Sequence, residues 1–174
     1  MAVVDFDQPE ASAQRIAALA GLSPIHAVVG VDDQGVLTAA HAGELLGLAH
    51  NPPDAVAATR NKIDMRSVLA SWDVPQPRFA VADQGADVAR LAEEVGLPCV
   101  IKPVSLSAGT GVIRADTAQE ALCVAERVRG ILSNHDRSAG EPLLVEHFVA
   151  GAEVSLEGAA TQREPRSARR LRQA

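Results

Sequence analysis

Apolar residues recur along the chain in two patterns, short β-branched runs and helical stripes. Ala2-Val3-Val4 and Ile25–Val31 are compact apolar runs that predict strands, each followed by a helical pattern. In the first helix Ala13, Ile16, Ala17 and Ala20 share one face, opened by Pro9-Glu10 and closed by Gly21. In the second, Thr38 is the predicted cap, Leu45 and Leu46 are covered, and Gly47 is the stop. Strand, helix, strand, helix implies part of a parallel α/β layer over residues 1–50.

Asn51 and Pro52-Pro53 then predict the start of a short helix that runs through Arg60. Lys62 begins another, with Met65, Val68, Leu69 and Trp72 at one helical spacing, and Val74-Pro75-Gln76-Pro77 marks a boundary. Arg78–Ala82 predicts a strand, and Val88, Leu91, Ala92 and Val95 a helix stopped by Gly96-Leu97-Pro98. Cys99-Val100-Ile101 predicts a buried strand ended by Lys102 and Pro103. A loop of small residues and a return strand from Val112 follow. Thr117 and Glu120 form a capping box for a helix with Ala121, Val124, Ala125, Val128 and Leu132 inward. Ser133–Gly140 is a polar connection, and Leu143–Val145 a strand that leads into Glu146. From Glu153 the residues alternate, with Glu153, Ser155 and Glu157 on one face and Val154 and Leu156 on the other. Past Gly158 the pattern collapses, and 161–174 is expected to be a disordered tail.

Composition narrows the function classes. The chain is 47% hydrophobic with 2% aromatic residues and no tyrosine, so stacking platforms for single-stranded nucleic acid are scarce. Neither a run of about 18 apolar residues nor a basic-then-apolar leader is present, which sets a cytoplasmic expectation without a membrane partner. Cys99 and Cys123 lie in apolar segments and suit reduced core thiols. The net charge is −6, yet Arg163, Arg166, Arg169, Arg170 and Arg172 crowd the tail. The acidic body argues against nucleic acid; the tail leaves RNA or another polyanion as an alternative. Only two of the 16 basic residues are lysine, Lys62 and Lys102. A compact ammonium with three rotatable donors suits phosphate oxygens approached from varying directions.

Lys102 precedes a loop that holds Ser105, Ser107, Gly109 and Gly111. A cation beside exposed backbone donors and hydroxyls is what a polyphosphate requires; the competing reading is a hairpin with a solvated lysine. The loop lacks the Gly-Lys-Ser/Thr of a Walker motif, and Arg114 stands where a Rossmann fingerprint needs its third glycine. No metal set is expected, since the cysteines are far apart and the five histidines show no ligand spacing. Glu153 and Glu157 suit a cation, sugar hydroxyls or solvent.

Six segments in this order resemble the ATP-grasp ligases, in the branch near biotin carboxylase and carbamoyl phosphate synthetase. They are N-P-P-D-A-V (51–56), R-N-K-I-D-M-R (60–66), V-P-Q-P-R-F (74–79), L-P-C-V-I-K-P (97–103), the S-A-G-T-G-V loop, and L-L-V-E-H-F-V-A-G-A-E-V-S (143–155). The resemblance implies an α/β and α+β chain: a partial pre-ATP-grasp α/β domain (1–50), then the N-terminal part of an ATP-grasp fold, incomplete at the C-terminus. That part would comprise connecting helices with Lys62 (51–77), a small α+β lobe with the loop (78–140), and first strands of the larger lobe (141–160), before the tail. It implies that Lys62 and Lys102 hold the phosphates of ATP under the loop Ser105–Gly111. Glu146 and the backbone of His147 and Val149 would meet adenine, and Glu153 the ribose. The family's magnesium ligands are expected to be missing. The chain is thus expected to be a truncated ligase with little turnover, the parent activating a small-molecule carboxylate as an acylphosphate for attack by an amine or similar nucleophile. The alternative is a non-catalytic nucleotide-binding or regulatory fragment. Substrate identity and oligomeric state are not legible.

Overall fold

The computed structural model describes residues 3–135, 137–152, 154–161 and 164–172, the side chains only up to Val154. The order is α1 (Pro9–Ala20), α2 (Gly35–Leu45), α3 (Pro53–Arg60), α4 (Lys62–Ser71), β1 (Phe79–Ala82), α5 (Val88–Val95), β2 (Cys99–Pro103), β3 (Ile113–Ala115), α6 (Ala118–Asn134), β4 (Leu143–His147), β5 (Val154–Thr161) and β6 (Glu164–Arg172).

The core sits around a four-stranded antiparallel sheet in the order β1-β4-β2-β3. Strand alternation gives the sheet two faces. Cys99, Ile101, Leu143 and Val145 pack with Val88, Leu91, Ala92 and Val95 of α5 and Ala121, Ala125, Val128 and Leu132 of α6. Both helices therefore follow the predicted stripes, and both caps form: Asp87 accepts from Arg90 N and Thr117 from Glu120 N. Val100, Lys102, Leu144 and Glu146 fall on the opposite face, because Val100 pairs with Glu146 and Lys102 with Leu144. That face carries the chemistry.

Several expectations are corrected. No strand forms among the described residues of 3–50, so the parallel layer is absent there. The runs find no ladder partner, and Val3, Val29 and Val31 stay 74%, 75% and 93% exposed. Thr38 is no cap but lies inside α2, which starts earlier because Asp32 Oδ1 accepts from Gly35 N at 2.7 Å. The α4 stripe is not buried: Val68 and Trp72 are exposed. Cys99 is buried as expected, whereas Cys123 faces out of α6. In place of a disordered tail, β6 pairs antiparallel with β5, Arg169 opposite Glu157. Backbone pairing needs no apolar face, which is why the side-chain pattern gave no sign of it.

Candidate functional site

Asn61 sets the site by capping α4, its side chain accepting from Ile63 N at 2.9 Å and Asp64 N at 3.3 Å. Lys62 thereby stands in the first turn, with Arg66 one turn later on the same helix face. From that face the two cations reach across to the sheet and to the loop that follows β2.

Lys62 Nζ donates to Val104 O at 3.2 Å and also to Leu106 O. Burial, and then the neighbouring Lys102 charge, hold its ammonium below the ordinary lysine pKa, against the pull of Glu141, Glu146 and Asp33. An anion placed beside Lys62 and Lys102 would relieve that repulsion. Lys102 pairs with Glu146 Oε2, and Arg66 Nε donates to Glu146 Oε1 at 2.6 Å. The Glu146 side chain is only 6% exposed. Burial disfavours its charge, but the hydrogen bonds from Arg66 and Lys102, with their charges, prevail and hold its carboxyl below the usual glutamate range.

The loop wall is built differently. Ser105 donates from its N–H and its hydroxyl to Glu141, at 2.9 and 2.7 Å. Thr110 N and Val112 N close turns onto Ser107 O and Gly109 O. Gly111 has φ +74°, and a Cβ there would stand 3.1 Å from the Pro103 ring, so a side chain would be both strained and crowded. Lys62, Ser105, Ser107 and Gly109 line one cleft of about 430 Å³, with Asp33 and Arg60 on its other walls. Lys102, Glu146 and Gly111 are not on that lining; Lys102 is linked to Lys62 by charge. Volume alone does not single this cleft out, since one of about 410 Å³ lies along Val28–Gly30 and α2. That second cleft has no Lys or Arg in its lining.

The remaining sequence candidates lie at the end of β4. His147 donates its backbone N–H to Arg78 O at 2.9 Å, and its Nδ1 stands 3.0 Å from Gly96 O, so both are engaged in the fold. Val149 is 66% exposed. Glu153 lies outside the described residues. Arg66 and Glu141 were not singled out by the sequence. Arg66 was signalled by its spacing of four from Lys62; Glu141 acts across 36 residues, with no local sign.

A profile of the family described as phosphoribosylglycinamide synthetase, ATP-grasp (A) domain, matches residues 60–167, most of the chain and all of the elements that carry this site. The chain belongs to the ATP-grasp family. Among similar proteins is the phosphoribosylamine–glycine ligase of Streptococcus suis, 28% identical over 130 residues, which are 74% of this chain and 30% of that protein. The formate-dependent phosphoribosylglycinamide formyltransferase of Saccharolobus solfataricus is 32% identical over 97 residues, 55% of this chain and 23% of that one. The crystal structure of L-amino acid ligase from Bacillus licheniformis superposes with a TM-score of 0.66 at 25% identity, covering 92% of this chain and 35% of that one. The chain thus spans about a third or less of these relatives' length. Among the described residues no group of three His, Cys, Asp or Glu side chains is placed to hold a metal ion. No helix of the described residues is long and apolar enough to cross a membrane.

Proposed function

We propose that this chain holds the ATP of an ATP-grasp ligase that activates a small-molecule carboxylate for capture by an amine. In that reaction a carboxylate oxygen takes the γ-phosphoryl group as its bond to the β-phosphate oxygen breaks, releasing ADP. The amine nitrogen then attacks the acyl carbon, and phosphate leaves.

The observation that carries the reading is the gathering of Lys62, Arg66 and Lys102 around one loop and one buried carboxylate, within the stretch that matches the family. Lys62, with Ser105, Ser107, Gly109 and Gly111 of the loop, would meet the phosphates, joined by Lys102 once it leaves Glu146. The β4 end, with Glu146, His147 and Val149, would face the adenine, and Glu153 the ribose. A carboxylate accepts from sugar hydroxyls, and the strand-end backbone offers N–H donors and carbonyl acceptors to an adenine edge, the His147 N–H being already given to Arg78 O. The nearer kinship to biotin carboxylase and carbamoyl phosphate synthetase rests on motif order alone. The role assigned to the described residues is binding and orientation of the nucleotide.

The test is ATP binding and ADP release by the purified 174-residue chain, offered panels of carboxylates and amines with magnesium. Binding that depends on Lys62 and Lys102, with little ADP release, is expected. Robust Lys102-dependent release would overturn the restriction to binding. Absence of ATP binding would overturn the whole reading.

A further inference from the structure

We propose that Glu141 is the latch of the glycine-rich loop. Its carboxylate fixes the loop's root, so that only the tip, residues 107–111, closes onto a polyphosphate. The inference rests on reading the cleft as a nucleotide site.

Glu141 Oε1 accepts from Val104 N at 3.0 Å and Ser105 N at 2.9 Å, while Oε2 accepts from Ser105 Oγ at 2.7 Å. Two successive backbone donors and a hydroxyl on one carboxylate is the arrangement that proteins use to grip an anion. Here the anion is part of the chain, reaching over from the connection between α6 and β4. On its other side the root is held by Lys62, which takes the carbonyls of Val104 and Leu106. Residues 104–106 are therefore clamped through their N–H groups by a carboxylate and through their carbonyls by an ammonium.

Beyond Leu106 the anchoring stops. Thr110 and Val112 donate only to the loop's own carbonyls. Among the described residues, the amides of Ser107, Ala108, Gly109 and Gly111 have no acceptor. Ser107, Ala108 and Gly109 line the cleft. Ala108, Gly109 and Gly111 all have positive φ, and the space beside Gly109 is open. A fixed root with a free tip confines the closing motion to the part that carries unused donors. Ser105, engaged by Glu141, is a root residue that stays on the cleft wall, where the phosphates would sit, while the tip moves. This makes Glu141 a positioning residue for the phosphate site.

Hydrogen exchange on the full chain, combined with calorimetry of ATP and adenosine, tests this. In Glu141→Ala the amides of Val104 and Ser105 are expected to exchange at least about tenfold faster, with Ile101 unchanged. ATP is expected to bind about tenfold more weakly and adenosine equally well. Glu141→Gln keeps one acceptor oxygen and is expected to fall between, which covers the case of an alanine variant that does not fold. Tighter ATP binding by Glu141→Ala would mean that the carboxylate competes with phosphate, and would overturn the latch. Equal losses for ATP and adenosine would overturn it too, as a general loss of structure. If the parent chain binds no ATP, the nucleotide reading fails, but the exchange rates still decide: unchanged rates at Val104 and Ser105 overturn the latch.

Discussion

Arg66 Nε donates to Glu146 Oε1 across 2.6 Å, tying the middle of α4 to the C-terminal end of β4. With Lys102 on the other carboxylate oxygen, Glu146 joins the helix that carries Lys62 to the strand that feeds the loop. The arrangement places Lys62, Arg66 and Lys102 near Glu146, with Glu141 and Asp33 also acting on Lys62 and Arg60 on the cleft wall.

Removing that acid leaves two cations buried without compensation. Glu146→Gln is expected to cost about 3 kcal/mol of stability in urea unfolding, the range for breaking one partner out of a buried pair. A loss under about 1 kcal/mol would show that solvent already screens the triad.

The same carboxylate gives a pH dependence. Its pKa is held low in the folded chain, so on acidification the unfolded chain takes up the proton first. Stability contributed by Glu146 is then fully present above the ordinary glutamate value of about 4.3 and is lost as the pH falls through the folded value. Glu146→Gln is expected to flatten that acid limb in unfolding midpoints measured against pH. Lys62 acts at the alkaline end: its lowered pKa lets the folded chain release its proton first, so its contribution to stability rises with pH towards about 10.4.

Much of this site was legible in the sequence, for physical reasons. Lys62 and Lys102 stand out because lysine is rare here; short apolar runs placed β2 and β4, and helical-period stripes placed α5 and α6, whose side chains pack into one core. What was missed depends on contacts made only when distant segments meet. Glu141 meets Ser105 only once α6 has brought the chain back, and Arg66 meets Glu146 across 80 residues. The first 50 residues misled because an apolar run predicts a strand only if another strand lies beside it. Val29 and Val31 have none among the described residues.

The loop's glycines are expected to differ. Gly111→Ala combines φ +74° with a clash at Pro103, whereas Gly109→Ala, at φ +72°, meets open space. Both incur the roughly 1 kcal/mol of a left-handed alanine, and Gly111→Ala more, read as a larger drop in the unfolding midpoint. Equal drops would show that the Pro103 ring yields freely.

The most direct measurement is calorimetric titration of the parent chain, Lys62→Ala and Lys102→Ala with ATP and, separately, adenosine. The account predicts that ATP binds the parent more tightly than adenosine. Each substitution should weaken ATP by roughly tenfold to a hundredfold, the effect of losing a charged hydrogen bond, and leave adenosine nearly unchanged. ATP affinity equal to that of adenosine, or untouched by loss of either lysine, would contradict it.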